Sequence, residues 1–522
     1  MNIVCHFRFR EAIVTATLRT AIELMCSRHA LLRSRIFVLR GIPGFVVDED
    51  APPFECAERA GSDPLAAITD EANRPFAKGH GCLRAVVLVA EEGGEGGGHD
   101  ILLTVRHDQF DAKSILVFLS QTMALYRQLA AGASEPPELP RESSFPASID
   151  AIYGPSRAPD WLLAGHHAMK TWVPMNLYTI ARFQRMPRLI AYSKQPPPHA
   201  ERAARRTAAA RGEGAAWATM QVTGKLSVAE TAAALAHCKR ARVTLGTLLF
   251  SACQFASTKH NVTMRWRSRN RKSSRTATVA PADPDASPTT VPAEAPRRPR
   301  SGTHSQIGVL VVDLREYCAK LGCHEIDPRS MGMYLTTIDQ LSDVPIKHAL
   351  PVADGESDAA RQRAAAITRL AQVSRRNLVY QMEKRKNHIT CPLFTGAVVG
   401  INTAFSRLYA PPPTGVVFSL SNLGNLDLRG PEDPNFVAHL VSGLNDQPPY
   451  LEDVHLGATT AASSYPVFNV FTYSYRKELH VMLTISPDTT EHSVAEGFIA
   501  DVFRCVTDAA RDSATGVPKP AT

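Results

Sequence analysis

The stretch Thr104–Ile115, "TVRHDQFDAKSI", places His107 and Asp111 four residues apart. The apolar run before the pair, "HDILLTV", predicts a buried strand, and the segment after it, "AKSILVFLSQTMALYRQLA", has an apolar stripe at helical spacing. The pair therefore lies where a strand passes into a helix. A histidine there, with a pKa near neutrality, can take a proton from a hydroxyl or an amine. From these residues alone three interpretations stay open: a base with its support, half of a metal site, or a strand-end histidine bonded to backbone followed by an aspartate that caps the helix.

Other chemistries find little support in the sequence. A metal site built on His107, Asp108 and Asp111 would need a third or fourth ligand that the local sequence lacks, so no metal is expected. The adjacent pair His166 and His167 has no aspartate four residues later. The glycine-rich run at 93–98 lacks the lysine of a phosphate-binding loop, and no GxSxG elbow of a serine hydrolase is present.

Strands and helices alternate on both sides of this crossover. Upstream, "NIVCHFRF" predicts a strand, "TATLRTAIELMCSRHALLRSRI" predicts one amphipathic helix, and "FVLRG" with "GFVVDED" predicts a hairpin. Downstream, the predicted strands include "TMQVTG", "IGVLVVDLREY", "GVVFSLSNLG", "VFNVFTYSYRK" and "ELHVMLTISP", and a last helix is "SVAEGFIADVFRCVTDAARD". This order predicts the α/β class, with mixed sheets and flanking helices.

The length of 522 residues favours two domains, with three as the alternative. Apolar periodicity breaks at 193–216, which predicts an N-terminal lobe at 1–192, a crossover linker at 193–216 and a C-terminal lobe at 217–522. Residues 264–305 are rich in Arg, Ser, Pro and Ala, and we expect a disordered basic insert there.

Charge and cysteine content exclude several classes of protein. The net charge is +8, but residues 264–305 hold nine Lys/Arg against three Asp/Glu, so the rest of the chain is close to neutral. No basic stripe covers a folded face, and nucleic acid is not an expected partner. The ten cysteines form no CxxC pattern, which favours reduced, buried thiols in a cytoplasmic protein. The sequence contains no run of about eighteen apolar residues, so no membrane span is predicted. The N-terminus does not have the pattern of a secretory signal.

Four short motifs, in order, resemble one superfamily. The segment "RHDQFDA" resembles the HHxxxDG signature of condensation domains and chloramphenicol-acetyltransferase-like acyltransferases, with His107 at the second, catalytic histidine and Asp111 at the aspartate. The other three motifs resemble the opening helix, a late strand and an interface strand of the family; they are "RHALLR" (Arg28–Arg33), "VVDLR" (Val311–Arg315) and "SNLG" (Ser421–Gly424). The similarity extends from about residue 3 to residue 510, without the insert.

Two positions depart from the signature. Arg106 stands in place of the first histidine, which is usually structural in the family, and Ala112 stands in place of the glycine. The alanine requires that the turn avoid a conformation open only to glycine. These two residues are the sequence basis for an alternative in which the fold is kept without catalysis.

The resemblance implies a fold and a set of roles. Two lobes would meet in a V with a central channel, and His107 would be the general base. Asp111 would be structural and paired with an arginine of the second half, for which Arg315 is the candidate; an exposed strand-end arginine is the alternative. Ser421 and Asn422 would contact the oxyanion or the substrate, unless they are only a polar pair before a turn.

The function implied is transfer of an acyl group from a thioester, either acyl-CoA or a phosphopantetheine-linked carrier protein, to the hydroxyl of a small-molecule acceptor. No permanently bound cofactor is expected, and a monomeric enzyme of specialised metabolism is the prediction. The alternatives are an amide-forming condensation enzyme with carrier-bound substrates and a non-catalytic module. The basic insert has one alternative to simple disorder, which is a docking site for an acidic carrier protein.

Overall fold

The structure of the chain is a computed structural model. The described residues are 2–39, 42–48, 54–61, 63–76, 81–89, 100–132, 142, 144–146, 201, 204, 219–277, 302–315, 326, 329–332, 334–350, 357–384, 416–427, 436–458, 467–488 and 490–512.

The first part of the chain alternates strands and helices around the crossover. Its strands are β1 Asn2–Phe9, β2 Ser34–Leu39, β3 Ile42–Val47, β4 Glu55–Ala60, β5 Leu83–Val89 and β6 Asp100–Arg106. Its helices are α1 Thr15–Arg28, α2 Pro64–Asn73 and α3 Ala112–Ala130. The predicted hairpin is confirmed as β2 and β3, and the predicted strand and helix around His107 are confirmed as β6 and α3.

The second part has the same mixture of elements. Its strands are β7 Met220–Leu226, β8 Thr303–Asp313, β9 Leu335–Pro345, β10 Val416–Asn425, β11 Leu451–Ala458, β12 Phe468–Tyr475 and β13 Glu478–Ile485. Its helices are α4 Val228–Ala241, α5 Leu245–Ala277, α6 Ile346–Ala349, α7 Ser357–Lys384, α8 Phe436–Gly443 and α9 His492–Asp512. The α/β class predicted from the sequence is therefore confirmed.

Local chemistry explains where helices begin. Asp63 caps α2 by accepting from two backbone amides, and a proline follows at the first helical position. Ser227 and Glu230 form a reciprocal capping box at the start of α4. Side chains close in sequence thus satisfy two N-terminal amides of α2 and one of α4.

The N-terminal sheet has five strands in the order β11-β1-β6-β5-β4. β1 pairs antiparallel with both β6 and β11, and β4 pairs parallel with β5. One face is covered by α1, α3 and α8, and its largest buried side chains include Phe7, Phe9, Phe110 and Phe118. β6 is thus a central strand, and its end is held firmly in place.

The strand β11 crosses between the predicted lobes. It lies within 217–522, the range predicted for the C-terminal lobe, yet it pairs with β1 in register Phe7↔Val454. Leu451, Val454 and Leu456 are buried in the N-terminal core. Pairing covers what would otherwise be an open edge of β1, and the apolar side chains gain burial. The N-terminal lobe therefore includes a segment from late in the chain.

The C-terminal sheet has six strands in the order β7-β13-β12-β10-β8-β9. β10 runs parallel to both β8 and β12, and the other pairs are antiparallel. Helices α5, α7 and α9 cover one face, where Phe250, Phe418, Phe468 and Phe498 pack together. A smaller apolar cluster with Val4, Leu102 and Met482 joins the two sheets.

The first helix is shorter than its sequence pattern predicted. α1 ends at Arg28, and His29 has extended backbone angles. Arg33 donates to the carbonyls of Arg28 and Glu142, at 3.1 and 2.5 Å, and so holds the chain in a turn. Leu32, predicted on the helix face, is buried in that turn. Leu32 is therefore buried as the apolar pattern predicted, but in the turn after the helix, because the hydrogen bonds of Arg33 end the helix before it.

The predicted disordered insert at 264–305 is corrected at both ends. α5 continues to Ala277, and β8 begins at Thr303. Arg and Lys are good helix formers, and extending an existing helix needs no new nucleation, so this stretch follows α5. Residues 278–301 lie outside the described residues, as do all of the predicted linker 193–216 except 201 and 204.

Two further sequence predictions concern the thiols and the membrane. The seven described cysteines are free and buried; they are Cys5, Cys26, Cys56, Cys82, Cys238, Cys253 and Cys505. In the described part of the chain, no helix combines the length and the apolar content that crossing a membrane requires.

Candidate active site

The turn between β6 and α3 carries the candidate base. The carbonyl of Arg106, at the end of β6, accepts from the amides of Gln109 and Phe110 at 3.2 and 3.1 Å. Asp111 then caps α3, with its Oδ1 2.8 Å from the Ser114 amide nitrogen. The chain thus leaves a central strand and enters a capped helix within five residues, which makes this turn rigid.

The imidazole of His107 is held by that turn. Its Nδ1 lies 3.1 Å from the carbonyl oxygen of Phe110, and because a carbonyl can only accept, Nδ1 must carry the hydrogen. Burial lowers the pKa of the half-buried His107, against the opposing effects of the Phe110 carbonyl and the Asp111 carboxylate. A neutral ring with a protonated Nδ1 has its lone pair on Nε2, so Nε2 can accept a proton.

Asp111 forms a buried ion pair with Arg315. Arg315 Nη1 is 2.9 Å from Asp111 Oδ2, and Nη2 donates to Oδ1 at 3.0 Å. The exposed fraction of each side chain is 1% or less. Asp111 Oδ2 also accepts from the Tyr334 amide, and the guanidinium stacks on the Tyr334 ring at 4.7 Å from its centroid. Both oxygens of the carboxylate are thus occupied by donors of the fold.

Three further residues complete this cluster, and the sequence did not single them out as site residues. The hydroxyl of Ser114 lies 2.8 Å from Asp111 Oδ1 and 2.9 Å from Arg315 Nη2. Lys113 Nζ donates to Asp313 Oδ2 at 2.8 Å, and Asp313 Oδ1 accepts from Arg315 Nη1 at 3.0 Å. A lysine among the apolar residues of the first turn of α3 was the available signal, but its partner is far away in sequence.

The two departures from the signature have simple local structures. The Arg106 guanidinium pairs with Asp108, with Nη2 to Oδ2 at 2.8 Å, on the exposed side of the turn. Ala112 is the first residue of α3, and among the described non-glycine residues a positive φ occurs only at Arg242, Arg476 and Lys477. An alanine therefore fits this turn without backbone strain.

Ser421 and Asn422 lie on β10, beside the strand that ends at Asp313. Ser421 pairs with Val311 in the register, so it shares a sheet face with Asp313, two residues further along β8. Asn422 Oδ1 accepts from the Gly424 amide and from Thr472 Oγ1, both at 3.1 Å. Gly424 has φ 85°, which a glycine adopts without strain. The Asn422 carbonyl oxygen is therefore used within the sheet, whereas the Ser421 hydroxyl has no hydrogen-bond partner among the described residues.

Comparison with known proteins identifies the fold. No protein-family model and no curated protein sequence matches the chain. A trichothecene 15-O-acetyltransferase from Fusarium sporotrichioides is similar in structure, with a TM-score of 0.60, 10% identity, and coverage of 97% of this chain and 91% of that one. The first condensation domain of the calcium-dependent antibiotic synthetase has a TM-score of 0.55, 11% identity, and coverage of 98% and 92%. Polyketide synthase associated protein 5 from Mycobacterium tuberculosis has a TM-score of 0.54, 13% identity, and coverage of 99% and 95%.

At such identities the likeness establishes the fold. Over nearly its whole length the chain has the fold of this condensation domain and of the acetyltransferase, which is the fold that the four motifs predicted.

Proposed function

We propose that this chain is an acyltransferase that moves an acyl group from a thioester to the hydroxyl of a small-molecule acceptor, with His107 as general base. The observation that carries the proposal is the contact between His107 Nδ1 and the Phe110 carbonyl, which assigns the lone pair to Nε2. A neutral imidazole of fixed tautomer, half-buried at the end of a central strand, has the properties that a general base requires.

The reaction needs no metal and no permanently bound cofactor. Nε2 of His107 takes the proton of the acceptor hydroxyl as its oxygen attacks the thioester carbonyl, and a tetrahedral oxyanion forms. The intermediate collapses with cleavage of the carbon–sulfur bond, and the imidazolium returns the proton to the leaving thiolate. The products are the ester and the free thiol of coenzyme A or of a carrier-bound phosphopantetheine. The acyl donor and the acceptor would enter a channel between the two lobes from opposite faces.

Asp111 has a supporting role in this mechanism. Its two oxygens are taken by Arg315, the Ser114 amide and the Tyr334 amide, so it does not abstract a proton. Its charge acts to raise the pKa of His107, against the lowering by burial, and so favours the imidazolium that forms during proton transfer. Ser421 is the candidate donor to the oxyanion, because its hydroxyl lies on the sheet face that carries Asp313 and has no partner among the described residues.

Two classes of acceptor follow from the similar structures. One of them is by name an O-acetyltransferase, and others are condensation domains. We favour a hydroxyl acceptor, and amide formation on a carrier-bound amine is the alternative within the same chemistry. A non-catalytic module, suggested by Arg106 and Ala112, is the alternative from another class.

The test compares His107→Asn with wild-type protein. An asparagine amide can still donate to the Phe110 carbonyl, so the turn is kept while the base is lost. Thiol release is measured from acetyl-CoA and longer acyl-CoA thioesters with a panel of alcohols and amines, and from a phosphopantetheinylated acyl-carrier protein. The control is His492→Asn, at a half-exposed histidine of α9.

We expect acceptor-dependent thiol release from the wild type and the control, and a loss of about 10²–10⁴-fold in His107→Asn, the range of general-base catalysis. Release with amines but not alcohols would select the amide-forming alternative. Equal release from wild type and His107→Asn would reject His107 as the base, and no release with any donor would favour the non-catalytic module.

A further inference from the structure

A second ion pair lies beside the pair of Asp111 and Arg315. Lys113, the second residue of α3, donates from Nζ to Asp313 Oδ2 at 2.8 Å. Asp313, the last residue of β8, also accepts through Oδ1 from the amide and Nη1 of Arg315, at 3.1 and 3.0 Å. Lys113, Asp313, Arg315 and Asp111 therefore form a chain of alternating charges. The first turn of α3 closes it into a ring, because it carries both Asp111 and Lys113.

Helix stability does not explain a lysine at this position. A positive side chain in the first turn opposes the helix dipole, which favours anions there. Only 8% of the Lys113 side chain is exposed, so the ammonium group has also lost most of its water. An apolar side chain of similar size at such a place is often neutral or stabilising. The pair is therefore weak evidence of a gain in the free energy of folding, and what it supplies is a contact of defined geometry between α3 and β8.

The geometry of the two ion pairs indicates a role in orienting the first turn of α3. The first turn of α3 is bound through Asp111 and Ser114 to Arg315, and through Lys113 to Asp313. The contacts of Asp111 and Ser114 converge on one guanidinium, whereas Lys113 reaches a separate acceptor, so the Lys113 contact restrains rotation of the helix start about Arg315. The carbonyl that holds His107 belongs to Phe110, the residue directly before Asp111. A pivot of this turn would therefore move the imidazole relative to the C-terminal sheet.

The second pair is also the one nearer to solvent. The exposed fractions of the side chains rise from 0% and 1% at Arg315 and Asp111 to 8% and 25% at Lys113 and Asp313. Asp313 shares its sheet face with Ser421, the candidate oxyanion donor. The more exposed end of the ring thus lies on the side of the C-terminal sheet where we place the reaction.

We propose that Lys113 and Asp313 are positioning residues that orient the His107 turn of the N-terminal lobe against the C-terminal sheet. The inference rests on the proposed function, because acyl transfer is the reaction it would serve. Small misplacements of a reacting group can cost about 10²-fold in rate, so an orienting contact can matter for the rate far more than for stability.

The experiment uses Lys113→Met, which keeps the length of the side chain and removes its charge, and Asp313→Asn as a second variant. Lys225→Met is the control for loss of a lysine ion pair outside the site, because exposed Lys225 pairs with Glu478 in the C-terminal sheet at the same distance of 2.8 Å. We expect kcat to fall about tenfold or more in both site variants, with KM changed less than about twofold. The control should match the wild type, and Lys113→Arg, which keeps the charge, should recover most of kcat.

A second measurement, chemical modification of His107, does not depend on acyltransferase activity. Diethyl pyrocarbonate acylates an unprotonated imidazole nitrogen, and mass spectrometry gives the rate at His107 itself. We expect this rate to rise in Lys113→Met and Asp313→Asn, with the thermal midpoint close to that of Lys225→Met. If wild-type protein transfers no acyl group, the proposed function fails while the modification rate still decides this inference. Unchanged kcat and unchanged modification at His107 in folded variants would overturn it, as would a failure of Lys113→Arg to restore either quantity.

Discussion

Asp111 and Arg315, which are 204 residues apart in the chain, form a buried ion pair with two contacts of 2.9 and 3.0 Å. Asp111 caps the helix that follows the His107 turn, and Arg315 lies two residues after Asp313, the last residue of β8. One carboxylate therefore joins the start of an N-terminal helix to the end of a C-terminal strand. The oxygens of Asp111 accept from Arg315 and from the backbone amides of Ser114 and Tyr334, so the link joins parts of the fold to each other.

Removal of this carboxylate should destabilise the protein strongly. In Asp111→Ala the Arg315 charge stays buried without its main partner, so we expect the free energy of unfolding to fall by about 3–5 kcal/mol. Urea unfolding followed by circular dichroism measures it. Asp108→Ala breaks the exposed pair with Arg106 and should cost less than about 1 kcal/mol. Similar losses in the two variants would show that burial does not govern the strength of the pair.

The pH dependence of the reaction should report His107. Burial lowers its pKa below the ordinary value of 6.5, and the neutral imidazole is the form that accepts a proton. We expect kcat/KM to be lost as the pH falls through this lowered pKa, and to be constant from about pH 7 upward until another group titrates. A pH–rate profile from pH 4.5 to 8.5 measures the acid limb, and His492→Asn should leave it in place. An acid limb centred above pH 7 would contradict the assignment of His107 as a buried, neutral base.

A glycine in β8 supports the C-terminal core. A Cβ added at Gly308 would lie 2.5 Å from Phe418 Cζ and 2.8 Å from Phe250 Cζ, where two rings pack over the strand. Gly308→Ala should therefore lower the free energy of unfolding by about 1–3 kcal/mol, the usual cost of overpacking. Gly497→Ala, in α9 with no atom near the added carbon, should be stabilising by about 0.5–1 kcal/mol. Thermal unfolding distinguishes the two, and a neutral Gly308→Ala would show that the aromatic pair can move.

Stability should also fall on mild acidification because of a histidine pair between β1 and β11. His6 Nδ1 lies 3.2 Å from His455 Nδ1, so the two nitrogens must share one hydrogen. Burial lowers the pKa of His455 to about 4; Asp453 opposes this effect, whereas the charges of His6, His480 and Arg8 add to it.

The sign of the effect follows from proton binding. Between pH 6.5 and about 4 the unfolded chain binds a proton at His455 that the folded chain does not, so the free energy of unfolding decreases as the pH falls through this window. Urea unfolding at several pH values measures the slope. His455→Asn should flatten the slope and His492→Asn should keep it; an unchanged slope in His455→Asn would assign the acid sensitivity to other groups.

The local structure around the site follows from short stretches of the sequence. The apolar run before His107, the apolar stripe after Asp111 and the polar turn between them are patterns within a few residues, and they specify a strand, a cap and a helix. The strands β8, which ends within "VVDLR" at Asp313, and β10, which contains "SNLG", were predicted in the same way. The end of α1 was not, because hydrogen bonds from Arg33 to distant carbonyls override a periodicity that continues to Leu32.

Contacts between residues far apart in the chain depend on how the two sheets pack. The pairing of β11 with β1 and the ring of Lys113, Asp313, Arg315 and Asp111 join parts of the chain that are hundreds of residues apart. The resemblance named Arg315 as the candidate partner of Asp111, and the structure confirms the pair; from charge alone, any of several arginines would satisfy a buried carboxylate. The choice depends on how two sheets pack through their apolar faces, which is a property of the whole core and is not contained in any local window of sequence. The helical conformation of Ala112 likewise depends on where α3 begins, which is at Ala112 itself.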